Sequence, residues 1–266
     1  RARKEPFWIV CGYGGAGNQV IRFMDQSGIR SVMIESNQTR ADTAKLSDMT
    51  YDLDVLVGDA SEPQTLVDAG VQSALCRGVL ALTDHNQTNL TIATNTRILA
   101  PRVLVHARSE SDANTRNLRS FNTDVVIDPA RVAARSLTQL IRKPRAFALY
   151  HELVDPDFNQ IEILNVPDFG HWVVCAEDRL ADNITEAFLR AEIPFCLVSP
   201  EVSTIADSIT WVQGLGTEAN TLRQARITEA VGIIAGTSDD GDNLSILLTA
   251  QTENERLITV ARRNKP

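Results

Sequence analysis

No apolar run in these 266 residues approaches the eighteen or so that would span a bilayer, and no signal-peptide pattern opens the chain. The sequence therefore reads as soluble. No Cys-x-x-Cys spacing occurs, and Cys11, Cys175 and Cys196 sit in apolar runs where a thiol acts as a small hydrophobe. With Cys76 the fourth, both a disulfide framework and a zinc site are poor readings, and a reducing compartment is the default. His85, His106, His151 and His171 show no ligand spacing, and His106 reads as a core residue in mid-strand. Only four lysines occur, Lys4, Lys45, Lys143 and Lys265, and none stands four residues after a tyrosine. That speaks against a reductase built on a tyrosine–lysine pair.

What is present is an uneven charge. Residues 1–143 carry 17 Lys+Arg against 15 Asp+Glu, a balance of +2, and residues 144–266 carry 9 against 19, a balance of −10. An acidic second half argues against a nucleic-acid partner and puts any anionic ligand in the first half. The chain begins with Arg1, Arg3 and Lys4 instead of Met, which reads equally as a piece following a membrane segment or as a boundary in a soluble protein.

An internal repeat organises the rest. Residues 7–37 align with 171–201, residues 57–74 with 213–230, and residues 81–108 with 235–262. These blocks pair Trp8 with Trp172, Gly58 with Gly214, Thr83 with Thr237, Asn89 with Asn243 and Arg108 with Arg262. In the first repeat, short β-branched runs at 7–11, 31–35, 54–57, 78–82, 102–107 and 124–127 predict strands. Helical patterns lie near 15–27, 38–48, 62–69, 87–99, 111–118 and 129–142. Near-continuous apolar strands alternating with helices predict an α/β fold with a parallel sheet covered on both faces. The second repeat offers strands at 171–175, 195–199, 209–212, 231–235 and 257–261, one fewer than the first. The reading is thus two tandem Rossmann-like doubly wound lobes, 1–142 and 171–266, the second ending after its fifth strand. Between them 143–170 reads as a linker with one strand-like stretch, QIEILNV at 160–166.

The strongest local signal is Gly12-Tyr13-Gly14-Gly15-Ala16-Gly17, between the first strand and the first helix. In such a turn Gly12 permits the tight bend, Gly14 lets the backbone approach a pyrophosphate, and Gly17 lets the helix lie close to the strand. The second strand ends in Glu35-Ser36, where a carboxylate can accept ribose hydroxyls and repel a 2′-phosphate. That favours NAD (NAD+ or NADH) or an adenine nucleotide over NADP, with Arg40 close enough in sequence to matter. Asp59 and Ala60 close the third strand, Thr83 and Asp84 the fourth, and Arg108 the fifth, all at the edge where open α/β sheets bind ligands. Asp59 and Thr83 also precede helices and fit as caps.

The order GxGxxG, acidic end of the second strand, G-D-A-S, L-T-D-x-N-x-x-N-L and A-R resembles the RCK domain (regulator of potassium conductance). The NAD-binding subunits of Trk-type potassium uptake systems share that pattern. The resemblance covers residues 7–142 and, more weakly, 171–262. It implies a cytoplasmic sensing module at the inner face of the cell membrane, assembled as a homo-oligomer (dimer to tetramer) into a ring beneath a potassium channel or transporter. It also implies a pocket lined by Gly12, Gly14, Gly17, Glu35, Asp59, Thr83, Asp84 and Arg108 that holds NAD, ADP, ATP or AMP. The small ligand-binding subdomain usual after the first lobe is not recognisable here. An NAD-dependent oxidoreductase and an oligomerisation scaffold with a vestigial pocket are the alternatives.

In the second repeat Gly12, Gly14 and Gly17 become Ala176, Asp178 and Ala181, Glu35 becomes Ser199, and Glu177 adds a negative charge. Side chains replace bare backbone and carboxylates would face a pyrophosphate, so this lobe is expected to pack instead of bind, burying Ile184, Ala187, Phe188 and Ala191. The stretch Asp239-Asp240-Gly241-Asp242-Asn243 lacks the spacing of an EF-hand loop and reads as a turn leading to a helix cap. Asp155, Asp157 and Asn159 offer less still, and no metal site is expected.

Overall fold

Strand β1 (Phe7–Cys11) shows how the first lobe is layered, because its side chains alternate between two cores. The structure is a computed structural model describing residues 4–154, 165–167, 170–201 and 209–264. Phe7, Ile9 and Cys11 point to one face with Leu66, Ile92 and Leu118, while Val10 points to the other with Ile21, Met24, Met33 and Ala44. Helices α1 (Gly15–Gln26) and α2 (Gln38–Lys45) supply Ile21, Met24 and Ala44 of the second set. The first set comes from α3 (Pro63–Asp68), α4 (Asn86–Leu99) and α5 (Asp112–Ser120). The remaining strands are β2 (Arg30–Glu35), β3 (Asp54–Val57), β4 (Cys76–Ala81), β5 (Leu104–Arg108) and β6 (Val125–Ile127). All pair in parallel in the order β3-β2-β1-β4-β5-β6. The winding reverses between β1 and β4, and the crevice above that point is where such sheets hold ligands.

The chain divides into two units, Arg1–Pro129 and Ala130–Pro266. The second contains β7 (Trp172–Ala176), β8 (Phe195–Ser199), β9 (Thr210–Gln213), β10 (Gly232–Gly236) and β11 (Ile258–Ala261). They lie parallel in the order β11-β10-β7-β8-β9, the first lobe's winding without its sixth strand. Helix α8 (Asp178–Arg190) covers one face through Ile184 and Phe188, with Ala187 and Ala191 partly buried beside them. Helices α9 (Ala219–Gln224) and α10 (Asp240–Glu253) cover the other through Leu222, Ile246 and Ala250. The duplication is visible in side chains as well as strands. Trp8 lies beside Gly78 in register, and Trp172 beside Gly232; a Cβ on either glycine would fall 2.1 or 2.4 Å from the indole.

Two features differ from the sequence reading. Helix α6 (Pro129–Arg142), expected to complete the first lobe, packs Ala134, Leu137 and Ile141 into the second lobe's core beside Trp172 and Ile184. Arg142 Nε then donates to the Ala191 carbonyl at 3.0 Å, and its Nη2 reaches the Glu192 carbonyl, capping the end of α8. An amphipathic period shows that a helix has a face to bury, but not which sheet receives it. The segment read as a linker opens with helix α7 (Pro144–Val154), its proline in the first turn where a missing N–H costs nothing. Most of QIEILNV, together with Asp155, Asp157 and Asn159, lies outside the described residues.

Candidate functional site

The glycine-rich turn leaves β1 at Gly12, whose φ of +98° suits a residue without Cβ and whose N–H donates to the Ile34 carbonyl at 2.9 Å. Gly14 caps α1 in extended conformation with no side chain over the first turn, so the N–H groups at the helix start stay open to an anion. Gly17 is the most constrained of the three. A Cβ there would lie 1.9 Å from the Gly12 carbonyl oxygen, so α1 rests directly on the turn. Gly15 and Ala16 begin the helix, and a Cβ at Gly15 would meet nothing within 4 Å.

Glu35 is 5% exposed, at the end of β2. Its Oε2 accepts the Tyr13 N–H at 2.6 Å and its Oε1 accepts the Asn37 N–H at 2.8 Å, with the exposed Ser36 beside it. The carboxylate thus ties the glycine-rich turn to the β2–α2 loop. Tyr13 enters the site through its backbone alone. Its ring is buried among Ile21, Met24 and Met33, and its hydroxyl pairs with Ser47 at 2.9 Å and Asn18 at 3.2 Å. Asp59 is exposed and accepts both the N–H and the hydroxyl of Ser61, while Ala60 turns into the core.

Thr83 and Asp84 close the far side, and they divide the labour. Asn89, 1% exposed on α4, accepts the Thr83 N–H at 3.0 Å and its hydroxyl at 2.7 Å, and donates to the carbonyls of Thr83 and Arg108. One amide thereby ties the ends of β4 and β5. The second lobe repeats this clamp bond for bond through Asn243, Thr237 and the Arg262 carbonyl. A device kept in the lobe that has lost its glycines serves the fold, and in the first lobe it engages the Thr83 hydroxyl. Asp84, by contrast, has Ser238 as its counterpart. Its Oδ1 accepts Arg108 Nη1 at 2.7 Å, and its Oδ2 lies 3.6 Å from where a Gly14 Cβ would stand. The other Arg108 nitrogen, Nη2, pairs with Glu110, whose N–H is held by the Asn86 side chain at 2.8 Å. Sequence reasoning passed over Asn89 and Glu110. The repeat had already paired Asn89 with Asn243, and Glu110 stands two residues beyond Arg108 at the same strand end.

In the second lobe the equivalent turn carries side chains. Ala176, Asp178 and Ala181 stand where the first lobe has Gly12, Gly14 and Gly17, Leu180 and Ala176 approach Gly236, and Asp178 takes a left-handed φ of +51°. Glu177 Oε1 accepts both the N–H and the hydroxyl of Ser238, linking the ends of β7 and β10. Asp239 caps α10 by accepting the Gly241 and Asp242 N–H groups, as its sequence implied. No cluster of three potential metal ligands occurs among the described residues. His106 sits half-buried against Trp8, and burial lowers its pKa.

The sequence pattern of the TrkA-N domain matches residues 8–129 and 172–266, one match for each sheet. Potassium channel protein 1 of Methanocaldococcus jannaschii is 28% identical over 103 residues, covering 36% of this chain and 31% of that protein. Among solved structures, the GsuK channel bound to NAD superposes over 100% of this chain and 59% of its own, with a TM-score of 0.73 and 17% identity. GsuK bound to ADP superposes over 98% of this chain and 61% of its own, with a TM-score of 0.69 and 20% identity. At that identity the likeness is one of fold. The chain thus spans about a third of that channel protein and three fifths of the GsuK chains.

Proposed function

The chain belongs to the TrkA-N domain family, and from that premise we propose that it is a nucleotide-sensing regulatory unit of a potassium channel or potassium uptake transporter. Its first lobe binds NAD+, NADH or an adenine nucleotide, and its second lobe has become a packing partner. The observation that carries this reading is the turn at Gly12–Gly17, its bare backbone and helix start open beside Glu35, set against the closed turn at Ala176–Ala181. Support for the setting comes from the relative named as a potassium channel protein and from GsuK, whose structures carry NAD and ADP. No helix among the described residues is long and apolar enough to cross a membrane. In this reading the lobes work on the cytoplasmic side of a membrane partner.

The chain is read as a homo-oligomer, dimer to tetramer, contributing to a ring of lobes, because a degenerate lobe that keeps its core keeps its surfaces too. A ligand gates such a ring only by binding two of its conformations with different affinity. Calorimetric titration of NAD+, NADH and adenine nucleotides, run beside a hydride-transfer turnover assay, tests the proposal. Binding without turnover is the expected result. Turnover would make the chain an oxidoreductase, and absence of both would leave a scaffold.

A further inference from the structure

Which nucleotide the first lobe prefers is written in the charges beyond the pyrophosphate position. Glu35 on β2 fixes one half of the crevice for the ribose next to the adenine. Gly14 and the start of α1 take the phosphates. Whatever follows them along the ligand passes to the opposite side of the switch point, over the ends of β4 and β5. There stand Asp84, Arg108 and Glu110. Arg108 alone would invite a further phosphate, but both of its terminal nitrogens already face carboxylates, Asp84 on one side and Glu110 on the other. Its Nε is buried and makes no hydrogen bond. The cluster holds one positive and two negative groups, so it meets a ligand with a net charge of −1. Asp84 is also the side chain nearest to Gly14, directly past the phosphate cradle.

Resting on the nucleotide-binding reading above, we propose that Asp84 and Glu110 are specificity-determining residues that select against a third phosphate and for a cationic or neutral second half. The preferred ligands are then NAD+ over NADH and ADP over ATP. The nicotinamide ring of NAD+ is cationic and loses that charge on reduction, while a γ-phosphate brings added negative charge into the same space. Like charges at this range, partly screened by solvent, correspond to about a tenfold difference in affinity. The second lobe, with Ser238 and Asn264 at the positions of Asp84 and Glu110, lacks both charges.

The test is calorimetric titration of AMP, ADP, ATP, NAD+ and NADH against the full chain and against Asp84→Asn and Glu110→Gln, each made separately. We expect ADP to bind the wild type about tenfold more tightly than ATP, and each substitution to narrow both the ADP-to-ATP and the NAD+-to-NADH ratios. A wild type preferring ATP, or ratios unmoved in both variants while nucleotide still binds, would overturn the selectivity assignment and leave the nucleotide reading intact. Failure of folded wild type to bind any of the five, AMP included, would overturn both.

Discussion

Replacing Gly17 by alanine puts two opposing effects in one experiment. At an unobstructed helical position the change favours folding by about 1 kcal/mol, through helix propensity and a less flexible unfolded chain. At Gly17 the new Cβ lies 1.9 Å from the Gly12 carbonyl oxygen, whereas carbon and oxygen normally approach to roughly 3.3 Å. The obstacle is backbone, and that backbone is pinned by the Gly12 N–H bond to Ile34, so α1 must move off the turn by about an ångström. Overpacking against a fixed neighbour costs about 1–3 kcal/mol and sometimes more. Because the shift here is large, we expect a net destabilisation of the first lobe of about 2 kcal/mol, a melting temperature lower by roughly 8 °C, and weakened nucleotide binding. Gly15→Ala is the matched control: with nothing within 4 Å of the new methyl group, it should melt at or above the wild-type temperature. Scanning calorimetry with and without NAD+ reads both variants. A Gly17→Ala protein as stable as wild type and equally able to bind would refute the argument that α1 rests on this turn.

Gly14→Asp, which copies the second lobe's Asp178, places a carboxylate against Asp84 and should abolish nucleotide binding while the far-ultraviolet spectrum stays that of the folded chain; retained affinity would put the pocket elsewhere. Glu35 should make NADP a weaker ligand than NAD+, and calorimetry with NADP the tighter of the two would contradict its placement. In solution the chain should associate into dimers or larger rings, and light scattering that finds a strict monomer at high concentration, with and without nucleotide, would remove the ring. Burial opposes ionisation of Asp124, but the Val105 N–H and the Arg97 guanidinium outweigh it and hold its pKa below the usual carboxylate value. Its contribution to stability is therefore complete above about pH 4 and lost as pH falls further, so the melting temperature of Asp124→Asn, measured from pH 5 down to about pH 2, should fall less steeply than that of wild type.

The strands, their parallel pairing and the glycine-rich turn were legible because each rests on local chemistry. Apolar runs of strand length alternate with helical periods, and three glycines stand at fixed offsets after the first of them. Glu35 was legible as a position but not as a partner to backbone. Nothing in its spacing shows that Tyr13 and Asn37 donate to it. Thr83 read as a pocket residue because it stands at the right strand end; only the contacts of Asn89 reveal that its hydroxyl is engaged within the fold. Tyr13 illustrates the same limit, since an aromatic inside a glycine motif can face a ligand or a core, and here Met24 and Met33 take it. Helix α6 went to the second lobe because long-range burial of Ala134 and Ile141 decides its place, and that is not encoded within its own fourteen residues.

If the first lobe binds a nucleotide as proposed, the bond from Glu177 to Ser238 gives the two halves of the chain different thermodynamic characters. A lobe whose site is empty until a solute arrives gains stability as the solute concentration rises, roughly 2.7 kcal/mol at a hundredfold excess over Kd. A lobe that carries its own anion as a side chain is saturated at every concentration, since a covalently tethered ligand cannot be diluted. In the proposed function each chain pairs a variable with a constant. One lobe would follow the nucleotide pool and the other stay fixed against it, so that a change in the pool would register as a difference within a single polypeptide.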